Sequence, residues 1–258
     1  MNTEFIKGCV IGAAMIIIYK RLGGQRLSFS RTLARELFSR SKYYILANMM
    51  VVVFGNTDHM MLKLMIGDAE NGFYTAAATC ASVPNFVYMA ILDSARPAVL
   101  ESKKISHKAF EKNVSRVYSI LIWLSLAQSL CYVLLAKPIV WILYGAEYAR
   151  AVPVLCILVW NIAFSYMGSA RNIWILGEGK HNVLWKINLT GALGNVILNA
   201  IMIPYWGACG AAFASVLTQI FTNFILGFIM PTMRPNNRLL LKGLDPRLLW
   251  GLLKELKN

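Results

Sequence analysis

The chain has 258 residues, 57% hydrophobic and only 15% charged, with a mean hydropathy of +0.54. A soluble domain of this length carries more charge on its surface, so the composition excludes an ordinary globular protein and points to helices in lipid. The net charge of +14 belongs, in a membrane protein, to its loops, and nucleic acid is not the expected partner.

Uncharged runs of about 18–20 residues are long enough to cross a bilayer as helices. Open sheets leave backbone groups unpaired in lipid, and a β-barrel shows short alternating segments instead. Seven spans are predicted: Phe5–Tyr19, Tyr43–Ile66, Phe73–Ala95, Val117–Ala136, Ala151–Leu176, Ile187–Ile203 and Ala208–Met230. They divide the chain into a lone transmembrane helix (1–22), a cytoplasmic amphipathic linker (23–42), a six-helix lobe (43–230) and a cytoplasmic amphipathic tail (231–258).

The first span holds Lys7, whose stem can snorkel to the interface. In the linker, Ser30 is placed to cap a helix reaching Lys42, with Leu33, Leu37 and Phe38 on one side. The second span is the anomalous one, since Asn48, Val52, Gly55 and His59 recur at helical spacing, with Asp58 beside them and Lys63 a turn further on. Asp58 and Lys63 stand about 140° apart around a helix, so they make a poor pair. Asp58 is expected to meet a base on another helix, or to titrate. Charges at depth cost about 2.5–3.5 kcal/mol each on insertion scales, so these groups are expected to face protein or water, never acyl chains.

In the third span Pro84 predicts a kink. The fifth carries Arg171, whose fork suits a carboxylate or a phosphate and whose structural partners are expected to be Asp58 or Asp93. Asn161, Asn172, Asn188, Asn195 and Asn199 read as interhelical hydrogen-bond formers, and Gly8/Gly12 and Gly207/Ala211/Ser215 as sites of close helix approach. In the tail, Asp245 and Pro246 open a helix with Leu249, Leu252, Leu253 and Leu256 on one face.

Every second loop is basic: segments 20–42, 96–116, 177–186 and 231–258 hold 21 of the 26 Lys and Arg residues. That asymmetry predicts a multi-pass membrane protein, its N-terminus outside and its C-terminus in the cytoplasm. Five scattered cysteines without a paired motif predict neither disulfide nor metal site. No phosphate loop, zinc motif or nucleophile elbow is present, so the chain is expected to be no enzyme and to need no cofactor.

Three stretches carry a family likeness when taken together: DHMMLKLMIGDAENGFYTAA (Asp58–Ala77), LYGAEYARAVPVLCIL (Leu143–Leu158) and NVILNAIMIPYWGACGAAFAS (Asn195–Ser215). Over about Ser30–Met230 the chain resembles the C-terminal half of polysaccharide flippases, within the multidrug/oligosaccharidyl-lipid/polysaccharide exporter superfamily. The resemblance implies an all-α membrane protein, one MATE-like lobe plus a preceding helix. An odd span count fits a protein lacking about five N-terminal spans. The implied substrate is a polyprenyl-diphosphate-linked oligosaccharide, flipped for surface polysaccharides such as O-antigen. Membrane lipids, a second lobe and polysaccharide polymerase machinery are the implied partners. Asp58, Lys63, Arg171, Asn48 and His59 are the substrate-path candidates, and Asp58 the ion-coupling one. The alternatives are a drug/cation antiporter, a peptidoglycan-precursor flippase, or a non-transporting protein such as an inactive half or a seven-helix receptor.

Overall fold

The structure, a computed structural model, describes residues 2–23 and 30–257. Ten helices follow in order among them: α1 (Asn2–Arg21), α2 (Arg31–Met65), α3 (Asp68–Ser82), α4 (Asn85–Ile105), α5 (His107–Tyr144), α6 (Ala151–Gly177), α7 (Leu184–Ile220), α8 (Leu226–Ile229), α9 (Arg234–Gly243) and α10 (Pro246–Lys257). No strand occurs among the described residues. Residues 24–29 of the predicted linker, Arg26 among them, lie outside the described residues, as do the side chains of Tyr43, Tyr44, Leu252, Leu253 and Leu256.

The chain divides into two units, Met1–Lys42 and Tyr43–Asn258. In the first, α1 ends on Lys20 and Arg21, which suit the negative pole of the helix, and exposes Val10, Ile11, Met15 and Ile16. Ser30 caps α2, its Oγ accepting the Leu33 N–H at 3.4 Å.

The protein is an all-α membrane protein. By length and apolar composition three stretches suffice to cross a bilayer: His107–Tyr144, Ala151–Gly177 and His181–Ile229. A fourth is α3 with α4, taken as one span bent by 46°. The break falls at Val83–Pro84, where proline cannot continue the helical ladder. This count is made on the described residues and is below the predicted seven, in part because His181–Ile229 contains two of the predicted spans.

The long final stretch folds back at Gly207, whose φ of +53° only glycine adopts without strain. Beyond the turn Gly210 packs on the backbone of Met202 and Ile203, so the two arms of α7 run side by side. Glu70 of α3 fixes this hairpin. Its Oε2 accepts the Ala208 N–H at 3.0 Å, and its Oε1 pairs with Arg150 at the start of α6. Trp141, Tyr205 and Trp206 are exposed near these turns, as expected for rings at a headgroup belt.

The Tyr43–Asn258 unit has two core clusters. One, near the Glu70 end of α6, packs small residues closely: Ala76, Ala77, Ala81, Ala211 and Ala212 against Leu62, Leu155 and Val159. The other gathers large rings, Tyr88, Phe110, Tyr118 and Trp174, with Tyr88 stacked on Tyr166 at 4.0 Å. It also takes in Met233, Leu239 and Leu240, so the region after Met230 begins as part of the bundle. Asp245 then caps α10, its Oδ1 accepting the Arg247 N–H at 2.9 Å. Cys80 is buried, Cys131 is exposed, and both are free thiols.

At the other end of α6, Lys103 Nζ donates to the Gly177 carbonyl at 2.5 Å and to Glu178 Oε1 at 2.7 Å. His107 Nε2 lies 3.4 Å from the same oxygen. Burial raises the Glu178 carboxyl, but the Lys103 hydrogen bond and the charges of Lys103, His107 and Lys180 outweigh it and hold it below its ordinary value.

Two outcomes follow. Gly207→Ala forces a side chain into a positive-φ turn and against Glu70, so it lowers stability by about 1–3 kcal/mol, read as a drop in the thermal midpoint in detergent. A carboxyl depressed on folding stabilises above its unfolded pKa and loses that contribution as pH falls through the folded one. The wild type therefore loses stability on acidification below the usual glutamate value of about 4.3, and Glu178→Gln flattens that limb of the midpoint-versus-pH curve.

Candidate functional site

Asp58 lies on the buried face of α2 with Thr57 and Leu62, and is 6% exposed. This face is not the predicted stripe, because Val52 is exposed and Asn48 with it, while Asn56 bonds back to the Val52 carbonyl at 2.8 Å. Three donors converge on the Asp58 carboxylate. Tyr74 Oη donates to Oδ2 at 2.6 Å, Asn199 Nδ2 to Oδ1 at 2.6 Å, and the Ser215 hydroxyl to Oδ2. Asn199 Nδ2 also reaches Asn195 Oδ1 at 3.0 Å, and Asn195 Nδ2 reaches Ser215 Oγ at 3.4 Å. The expected basic partner is absent among the described residues. The α7 hairpin brings donors from both its arms to this point, and a hydroxyl or amide satisfies a carboxylate without a second buried charge.

His59 stands behind Tyr74, the rings meeting edge to face at 5.0 Å, and its Nδ1 lies 3.0 Å from Asn71 Oδ1. Lys63 is not at depth. It sits on the exposed end of α2 and pairs with Asp68 at 3.1 Å, since α2 ends two residues later and α3 starts at Asp68. Asp93 is likewise exposed and pairs with Arg96 at 3.7 Å.

Arg171 is 6% exposed and meets neither Asp58 nor Asp93. Its Nη1 donates to the Thr222 carbonyl at 3.0 Å and to Asn223 Oδ1 at 2.7 Å, and its Nη2 to Asn172 Oδ1 at 3.3 Å. The chain forms a π-turn over Phe221–Ile225, and such a turn shifts the backbone carbonyls out of the regular ladder. Asn223 is held in turn by Phe164 O at 2.9 Å and Gln219 Oε1 at 2.6 Å. Gly168 leaves it room, since a Cβ there falls 2.6 Å from Asn223 Oδ1. The Arg171 Nε–H has no partner.

Arg171 lines a cavity of about 300 Å³ between α2, α6 and α7. Gly55 borders it from α2, one turn before Asp58, as do Thr218 of α7, one turn past Ser215, and Thr222 of the π-turn. Of the five predicted path residues, only Arg171 borders this cavity; Asp58 and His59 lie together beside α3, and Asn48 and Lys63 join neither group. Tyr74, Ser215, Thr222 and Asn223 were not expected. Ser215, Thr218 and Thr222 nevertheless form a polar stripe at helical spacing in the last apolar run, a signal visible in the sequence.

Residues 5–102 match a family described as polysaccharide biosynthesis protein. The capsular polysaccharide biosynthesis protein CapF of Staphylococcus aureus is 27% identical over 164 residues, 62% of this chain and 41% of that protein. Over these residues the chain is similar to polysaccharide biosynthesis proteins. An uncharacterised membrane protein of Methanocaldococcus jannaschii is 28% identical over 213 residues, 81% of this chain and 41% of its own length. The chain thus spans about two fifths of each of these relatives. No solved structure matches.

Tyr74→Phe deletes one hydrogen bond to a buried carboxylate and leaves the ring packing intact. The expected loss is about 1.5–3 kcal/mol, measured by thermal or denaturant unfolding in detergent.

Proposed function

We propose that this chain forms one lobe of a transporter, and no enzyme, that moves a polyprenyl-diphosphate-linked oligosaccharide across the cytoplasmic membrane for surface polysaccharide synthesis. The observation that carries this reading is Arg171, a buried cation with no carboxylate partner, bordering a polar cavity. Its Nε–H and a second Nη2–H remain for an anion, the two-donor edge that grips a phosphate oxygen pair. Asn172, Gln219 and Ser169 add uncharged donors around it.

Asp58 is the coupling group in this reading. As a carboxylate it only accepts, and its three partners all donate. A proton on it requires one partner to reverse. Ser215 can turn its hydroxyl, and Asn199 carries a buried Oδ1 without a partner that a flipped amide presents as an acceptor. Proton uptake therefore rearranges the contact between α2, α3 and α7. A second lobe completes the path, in keeping with the two fifths of the relatives' length that the chain spans. The basic loops support a cytoplasmic C-terminus in this reading.

The test is restoration of surface polysaccharide in cells lacking their exporter, with this chain supplied together with the N-terminal spans of a relative. Arg171→Gln is expected to lower polysaccharide output about tenfold or more, with Arg171→Lys intermediate because it keeps charge but not the fork. Equal output from Arg171→Gln and wild type rejects the headgroup role. Asp58→Asn is expected to make flux indifferent to an imposed proton gradient; flux that still follows the gradient rejects coupling at this site.

A further inference from the structure

A second cavity, about 600 Å³, opens at the far end of α6 from Glu70, between the first turns of α5 and the α9–α10 junction. Its walls carry four cations, Lys108 and Lys112 from α5 and Lys242 and Arg247 from α9 and α10. None of the four has a carboxylate within salt-bridge distance among the described residues. Two acids share the rim but are engaged elsewhere: Asp245 caps α10, and Glu111 Oε1 faces His107 Nδ1 at 3.9 Å.

The floor supplies an independent observation. Ser115 is 3% exposed, borders the cavity, and its hydroxyl has no hydrogen-bond partner. Ser125 and Thr218 bond back to their own helix, to Ile122 O and Ala214 O, whereas the α5 hydroxyls of Ser115 and Ser119 make no such bond, and of these two only Ser115 borders the cavity. A buried hydroxyl left open costs free energy unless something reaches it. The walls are also fixed. Tyr118 Oη donates to Asn236 Oδ1 at 2.9 Å, and α9 sits so close to α5 that a Cβ on Gly243 falls 2.7 Å from Tyr118 Cβ. Leu241 of α9, Leu244 at the junction and Trp250 of α10 are exposed, a surface suited to the lipid interface.

We propose that this cleft is a phosphate-binding site, occupied either by the headgroup of an anionic lipid or by free inorganic phosphate. Three lysines and one arginine supply charge, and the Ser115 hydroxyl supplies a fixed donor at the base. The site shares no lining residue with the Arg171 cavity, so it stands apart from the transport path.

The experiment is equilibrium binding to the purified full chain in uncharged detergent. The probes are short-chain phosphatidylglycerol, short-chain phosphatidylcholine and inorganic phosphate. The expected result is saturable phosphatidylglycerol binding, about tenfold weaker in Lys112→Gln/Lys242→Gln and restored in Lys112→Arg/Lys242→Arg. Ser115→Ala weakens it several-fold, and Arg171→Gln leaves it unchanged. Phosphate that fails to displace the lipid assigns the site to a headgroup, with phosphatidylcholine the weaker ligand. Phosphate that binds alone and displaces the lipid assigns it to the free ion. Equal binding of both anions by wild type and the Lys112→Gln/Lys242→Gln variant, with matching thermal midpoints, overturns the proposal.

Discussion

A carboxylate inside an apolar bundle must find donors, and the unit Tyr43–Asn258 is arranged so that Asp58 finds three without a cation. Hydrogen bonds to a charged group contribute about 1.5–3 kcal/mol each, so three of them are comparable with the several kcal/mol that burial of one ion costs. Meeting that demand fixes neighbours that are far apart in sequence. Tyr74 must come from α3, and Asn199 and Ser215 from opposite arms of α7. The arms can serve together only because the chain turns back at Gly207 and because Ala211 and Gly210 let them touch. Glu70, by capping the second arm at Ala208, holds the turn from which this register is counted.

The features that local rules govern were legible in the sequence. Pro84 breaks the third span, Ser30 and Asp245 cap their helices, and Gly207 falls between the sixth and seventh predicted spans. The likeness to polysaccharide biosynthesis proteins was legible too, and the family match over residues 5–102 takes in the first of the three stretches that carried it. What depended on packing was not. Helical spacing proposed Asn48, Val52, Gly55 and His59 as the inward face of α2, whereas Asn48 and Val52 are exposed and the buried residues are Thr57, Asp58 and Leu62. Lys63 looked deep because the apolar run continues to Ile66, but the turn into α3 places it beside Asp68 at the surface. The π-turn at Phe221–Ile225 has no composition of its own, so the carbonyl that Arg171 takes could not be read in advance.

The two buried ionisable groups are solved in the same way. Neither Asp58 nor Arg171 is neutralised by an opposite charge, and each is instead surrounded by neutral polar groups of the opposite hydrogen-bonding character. A neutral shell is weaker than an ion pair in one respect that matters for a machine: it can be reorganised by turning a hydroxyl or flipping an amide, without separating charges in a low dielectric.

A single stretch of α7 joins the two sites. Ser215 donates to Asp58, Thr218 borders the Arg171 cavity one turn on, and Thr222 gives Arg171 its carbonyl a further turn along. Thr222 lies within the π-turn that follows α7, and a widened turn can pass into a regular one by moving one residue of register. A change in the proton count at Asp58 that releases Ser215 therefore acts on the same helix whose backbone holds the arginine, and it needs no wire of intervening side chains. Coupling through a change of register is bounded by how strongly each site prefers one register over the other, because a bound group shifts an equilibrium only by its differential interaction with the two states.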